Sequence, residues 1–342
     1  MKKIKWLFII SLLASCFASQ AQSLDSVKFF AEDKLLEMTL NTDIRNLQTE
    51  KKLNAYQPAN VELRFPDSTV ISEGIRLCAR GHFRRDYCKI PPILLNFHNP
   101  TSPRLNQLGK LKLVIGCGSS GEDEQLIFKE YLIYKVYNLL EPDKSYRSRL
   151  LKVNYADSKN KVKPFSQYAF LIEDDGDMAA RNNCEKKGKR VVQTESTERN
   201  TMTMVAVFEY FISNTDWSVP GNHNATLIYP KGNDQAQPFV VPYDFDYSGL
   251  VNTDYAVPSE IIGTEKVTER VYRGYPRTME ELESVFDVYR KQKENIYSLI
   301  MNFTMLKEKT RKGMLDYLDE FYKAINSKNQ AKSIFIDNAR TN

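Results

Sequence analysis

Six short segments between Asn60 and Asp175 carry strand patterns, and one segment among them has the period of a helix. "NVELRF" and "EGIRLCARG" alternate apolar and polar residues, which suits half-buried strands. "IPPILLNFH" follows, its prolines marking a strand start or an edge, and then "KLKLVIG". The helical segment is "EQLIFKEYLIYKVYNLL", ended by Glu141-Pro142-Asp143. "SRLLKVNYAD" and "FSQYAFLIEDD" complete the strands. Beyond residue 200 the balance reverses. A helix "TMTMVAVFEYFISN", a hairpin "ATLIYP" to "PFVVPYDFD", and two long amphipathic segments from Thr278 and Thr310 dominate. Strands first and helices after predict an α+β chain in two lobes. The boundaries expected are 24–175 for the strand-rich N-lobe and 201–342 for the helical C-lobe. Residues 176–200, charged and poor in apolar side chains, read as a linker or insertion.

The first 21 residues read as a signal peptide. "MKKIK" is a basic n-region, "WLFIISLLA" a short apolar core, and "SQAQ" offers cleavage after Ala21. "LASC" also matches a lipobox, which would place a lipid anchor on Cys16. Either route predicts an exported chain that is periplasmic, at the cell surface or associated with an outer membrane. No segment is long and apolar enough for a transmembrane helix. The net charge of +5 falls to +2 without residues 1 to 22, which hold Lys2, Lys3 and Lys5 and no acid. So small an excess gives no case for a nucleic-acid partner. Cys78, Cys88, Cys117 and Cys184 remain, in a compartment where disulfides persist; they permit three pairings that the sequence leaves open.

The stretch "QAQPFVVPYDFDYSGLV" poses a chemical question. An apolar strand stops at Pro242 and is followed at once by Asp244 and Asp246. One hairpin earlier, "NTDWSVPGNHN" supplies Asp216 after a helix, then Asn222 and Asn224 before a strand. Mg²⁺ takes oxygen ligands and commonly uses one or two protein carboxylates, with water and phosphate filling the rest. A strand-end aspartate and an amide on the neighbouring strand suit such an ion. An aspartate on the preceding loop can orient a hydroxyl nucleophile, as in phosphoryl transfer. Asp and Asn are also common turn residues, so each segment alone is compatible with a plain turn.

"LCARGHFRRDYCKIPPILLNF", "LIFKEYLIYKVYNLL", "SQYAFLIEDDGDM", "DWSVPGNHNATLIY" and "VPYDFDYSG" follow one another in that order over about residues 60 to 250. In these pieces and their order the chain resembles the CotH kinase family, secreted or spore-coat atypical kinases. The resemblance implies a protein-kinase-like two-lobed fold, ATP with Mg²⁺ or Mn²⁺ as cofactors, and an exported protein substrate. Asp216 would orient the acceptor hydroxyl. Asn224, with Asn222 as the alternative, and Asp244 would hold metal, and Asp246 would support Asp244 or bind a second ion. Lys112 and Glu130 would form the pair that holds nucleotide phosphates, with Lys110 and Lys129 close by in sequence, and Arg80 would add a nucleotide contact. The match departs from the family where Tyr243 replaces its tryptophan and where His82-Phe83 replaces small polar residues.

Two further features compete for a function. "GCGSSG", Gly116 to Gly121, spells a dinucleotide-binding pattern, but the strands around it look hairpin-connected and a turn explains it. Arg80, His82, Arg84, Arg85 and Lys89 form a basic cluster suited either to phosphate or to protecting a strand edge. The expected activity is transfer of the ATP γ-phosphate to a protein hydroxyl. The alternatives are a catalytically inactive cell-envelope scaffold and a metal-dependent phosphoesterase.

Overall fold

The computed structural model describes residues 29–341 apart from 82, 119 and 189. The expected signal peptide, its cleavage site and the lipobox match at Cys16 lie outside the described residues, as does His82 of the basic cluster. The chain divides into two compact units, residues 1–118 with 149–174, and 119–148 with 175–342.

The first unit is a barrel of seven strands: β1 (Leu36–Thr42), β2 (Gln57–Arg64), β3 (Val70–Ala79), β4 (Ile93–Asn96), β5 (Lys110–Ile115), β6 (Ser148–Asp157) and β7 (Phe165–Ile172). The order around it is β1-β2-β3-β4-β5-β7-β6, and β6 returns to β1 to close it. β1 to β5 pair antiparallel in sequence order, whereas β1 and β6 run parallel, from Leu36 beside Leu151 to Thr42 beside Asp157. Alternation drives this shape. In β2 every second residue is buried, which places Ala59, Val61 and Leu63 inside and Pro58, Asn60 and Glu62 outside. Met38, Leu40, Leu77, Leu95, Leu113, Val153 and Leu171 meet them in one apolar core. Closure also leaves no sheet edge that must be shielded from aggregation.

The barrel unit also carries the short helices α1 (Ile44–Thr49) and α2 (Phe83–Tyr87). The Asp43 side chain caps α1 by accepting from the Asn46 N–H at 2.9 Å. After α2, Cys88 is bonded to Cys117, one bond of one of the three open pairings; its second bond is not formed, and Cys78 and Cys184 are free and buried. Arg149 is fully buried, donates to the Phe29 carbonyl at 2.8 Å and to Glu32 at 2.6 Å, and lies over the rings of Phe29 and Phe65.

The second unit contains α3 (Gly121–Leu140), α4 (Asp175–Arg181), α5 (Arg199–Phe211), α6 (Met279–Asn302), α7 (Glu308–Asn326) and α8 (Lys328–Lys332). It also holds a three-stranded sheet, β10 (Phe239–Pro242), β9 (Ala225–Pro230) and β8 (Cys184–Glu185), in that order. Ser120 and Asp123 form a reciprocal capping box at α3, so the end of the "GCGSSG" stretch serves as a helix start. Thr278 and Glu281 do the same for α6. α5 is buried almost all round, and Phe208 and Phe211 on it pack against Tyr137, Tyr289 and Phe321.

The protein-kinase-like, two-lobed α+β fold implied by the resemblance is overturned by the closed barrel. Its cause is β1. "LEMTLNT" lies ahead of the first strand legible in the sequence, and its seven parallel pairs with β6 convert a run of hairpins into a cylinder. The stretch 176–200 carries most of α4, then β8 and a 3-10 turn at Thr194–Ser196. Among the described residues no helix is long and apolar enough to cross a membrane.

Candidate functional site

The second unit gathers Asp216, His223, Asn224 and Asp244. α5 ends at Phe211, and the loop beyond it is pinned to the helix by the Asn214 N–H, which donates to the Glu209 carbonyl at 2.7 Å. The Asn214 side chain accepts from the Asp216 N–H at 3.0 Å. Arg273 donates to the carbonyls of Thr215 and Trp217 on either side of Asp216 and lies over the Trp217 ring. Backbone pairing of Ser218 with His223 then folds the loop back toward β9.

That return places two side chains on the Asp216 carboxylate. His223 Nε2 is 2.8 Å from Oδ1, and Asn224 Nδ2 donates to Oδ2 at 3.0 Å and to the Asp216 carbonyl at 2.7 Å. The hydrogen bond to Asp216, with the charges of Asp216 and Asp244, raises the His223 pKa against the opposing effect of burial. Asn224 is buried and left-handed at φ 52°, a conformation that asparagine tolerates better than most residues.

Asp244 reaches the same place from β10. The Tyr243 N–H donates to the Asn224 carbonyl at 3.1 Å, continuing the β9–β10 pairing by one step. Asp244 is left-handed at φ 65°, and its N–H donates to the Tyr134 hydroxyl at 2.9 Å. Phe245 is fully buried and packs edge-on against Tyr134 and Phe208. The "DFD" sequence therefore has a physical explanation: its phenylalanine plugs the core and fixes the turn, and the aspartates flank the plug. Asp246 goes elsewhere. It is buried, with Oδ2 accepting from the Tyr255 hydroxyl at 2.8 Å and its carbonyl accepting from Thr253.

The remaining residues expected at a nucleotide site are distributed over the two units. Lys112, half-buried on β5 between Leu94 and Ile172, and Arg80, just after β3, belong to the barrel. Glu130 is buried on α3 of the second unit. In the basic cluster Arg84 donates to the Ile115 carbonyl and Arg85 faces Asp86.

Four participants escaped sequence reasoning: His223, Arg273, Tyr134 and Glu209. Glu209 had a signal, as an acid inside the otherwise apolar run "MVAVFEYF". It is 1% exposed, and neither oxygen has a partner at hydrogen-bonding geometry. Burial raises its pKa to about 8; the nearby Asn214 amide and Arg273 oppose the rise, and the Asp216 charge adds to it.

Two pockets adjoin the cluster. One of about 220 Å³ is lined by Thr215, Asp216, Tyr247, Pro258, Lys266 and Glu269, among others. A second, of about 230 Å³, is bounded by Asn222, Ala225, Thr226 and Tyr243 and by a basic segment. A further cavity, of about 600 Å³, is lined by parts of α3, the 249–254 turn and α7 and includes none of Asp216, Asn224 and Asp244.

Among the described residues no three His, Cys, Asp or Glu side chains are arranged to hold a metal ion. A hard cation held by only two protein oxygens would not form such a group. Asn224 turns its Nδ2 to Asp216, which leaves Oδ1 for another partner, and Asp244 is the neighbouring carboxylate. A scan of known protein families finds no match to the chain, and no curated protein matches it.

Proposed function

We propose that the second unit is a metal-dependent phosphotransfer centre that moves the γ-phosphate of ATP to a hydroxyl of an exported protein. The observation that carries this reading is the convergence of Asp216, Asn224 and Asp244 at one end of the β9–β10 hairpin. The order of motifs that resembles the CotH kinases supports it too; the fold does not, because the closed barrel is not kinase-like.

Asp216 positions the acceptor hydroxyl and takes up its proton as the oxygen attacks phosphorus. Each of its carboxylate oxygens already accepts one hydrogen bond and retains capacity for another. The new P–O bond forms to the acceptor oxygen as the bond to the bridging oxygen of ADP breaks. Asn224 Oδ1 and the Asp244 carboxylate would hold Mg²⁺ or Mn²⁺, which when bound neutralises charge on the phosphates. The pocket beside Asp216 is where a hydroxyl-bearing segment would enter.

Purified protein incubated with labelled ATP, manganese and envelope extract should label a protein. Asp216→Asn should reduce the rate by about 10²–10⁴-fold with the fold intact by circular dichroism. Equal labelling by the variant would end the proposal.

A second reading has one observation in its favour. Asp216 is satisfied on both oxygens by its own neighbours, an arrangement that also suits an inactive binding or scaffold protein of the cell envelope. Under that reading the protein transfers no phosphate and shows no thermal shift with ATP and manganese.

A further inference from the structure

The segment 175–200 is polar and highly charged, and the phosphotransfer reading gives it no work. It is nonetheless tied to the candidate site. The Asn222 amide donates to the Arg190 carbonyl at 3.1 Å, and β8 pairs with β9, the strand that begins just after Asn224. The result is the pocket of about 230 Å³ whose lining includes Lys186, Lys187 and Arg190.

We propose that this pocket is an anion subsite for the polyphosphate of the donor nucleotide, a role that rests on the phosphotransfer reading. Charge is the first argument. Among the described residues, three cations line the pocket against one carboxylate, Asp175. That carboxylate is held by the Tyr146 hydroxyl at 2.9 Å and by Lys186 at 2.5 Å. Lys187 pairs with the exposed Asp234 at 2.7 Å and lies over the Tyr229 ring. Among the described residues no carboxylate lies within ion-pair distance of the exposed Arg190 guanidinium. Its planar fork suits two phosphate oxygens at once.

Size is the second. The volume falls short of the 300–1,000 Å³ typical of sites that enclose a whole drug-sized ligand, yet it admits a chain of phosphate groups. Place is the third: Tyr243 in the lining is the residue before Asp244, and Ala225 the one after Asn224. A phosphate chain seated on Arg190 and the lysines would extend toward the two residues assigned to the cation.

The test is calorimetric titration of the full-length protein with inorganic tripolyphosphate at fixed ionic strength, with and without manganese. Arg190→Ala should weaken tripolyphosphate binding about tenfold in both series, and Arg190→Lys should restore part of the loss. Asp244→Asn should weaken binding only when manganese is present. Unchanged affinity in Arg190→Ala, or no binding by the parent protein, overturns the subsite. A tetraglutamate peptide that binds as tightly as tripolyphosphate overturns its assignment to phosphate. Loss with Arg190→Ala but none with Asp244→Asn upholds the subsite and removes the metal role of the phosphotransfer reading.

Discussion

The barrel and the β9–β10 hairpin region use left-handed residues differently. In the barrel unit Asn54, Ser68, Asn99 and Asn160 have positive φ, and all four are exposed turn or loop residues between elements. In the second unit Asn183 and Asn252 are exposed in the same way, but Ser213 and Asn224 are buried, Asn222 and Asp244 are half-buried, and these four are left-handed within one loop and hairpin. Turn residues with positive φ are an inexpensive way to reverse a chain. Buried ones persist only where the surroundings over-determine them. Here those surroundings are Tyr134, Phe245 and the Asn214 network. The barrel is organised for closure, and the hairpin region for holding particular polar groups in place.

If that contrast holds, a charge inside the barrel should destroy structure. Leu40 is fully buried on β1, beside Val61 of β2 and Tyr155 of β6. Leu40→Asp should cost about 4 kcal/mol or more and abolish the cooperative unfolding transition followed by circular dichroism. A folded variant within about 1 kcal/mol of the parent would mean that the β1–β6 seam is not needed for stability.

The hairpin region should respond to pH where the barrel core does not. Glu209 has its folded pKa raised to about 8 from an ordinary 4.5. The unfolded chain therefore ionises first. Stability is unaffected below the unfolded value, is lost as pH rises from about 4.5 to 8, and stays level above that. At about 1.4 kcal/mol per pKa unit the span is on the order of 5 kcal/mol. Glu209→Gln should flatten this slope in urea unfolding measured at several pH values. A slope that survives the substitution would assign the pH dependence to another group.

The sequence made the local features legible and left the long-range ones hidden. β9, β10 and the long helices α3, α5, α6 and α7 all follow from periodicity, because each pattern is complete within the element. So does the proximity of Asp216, Asn224 and Asp244, since they bracket a single hairpin. Barrel closure joins Leu36–Thr42 to residues more than a hundred positions away, and nothing in "LEMTLNT" names its partner. The Arg273 contacts with Thr215 and Trp217 are hidden for the same reason. Glu209 was visible as an anomaly, an acid in an apolar helix, but its neighbours were not. The 176–200 stretch shows the converse limit. Polar composition reads as linker, yet here it holds a strand and three cations at one pocket.

The disulfide gives the smallest of these effects and the sharpest comparison. Cys88 and Cys117 both belong to the barrel unit and span 29 residues. A cross-link of that length removes chain entropy from the unfolded state equivalent to about 3.5 kcal/mol. The cysteine of the second unit, Cys184, is free and buried, and burial raises its thiol pKa, which makes it a poor nucleophile for exchange. Reduction therefore acts on one unit alone. Cys88→Ser should lower stability by about 3 kcal/mol while manganese-dependent tripolyphosphate binding, followed by calorimetry well below the transition, stays within twofold of the parent. Equal losses of stability and binding would show that the ligand site depends on the barrel's cross-link, and the division of labour between the two regions would have to be abandoned.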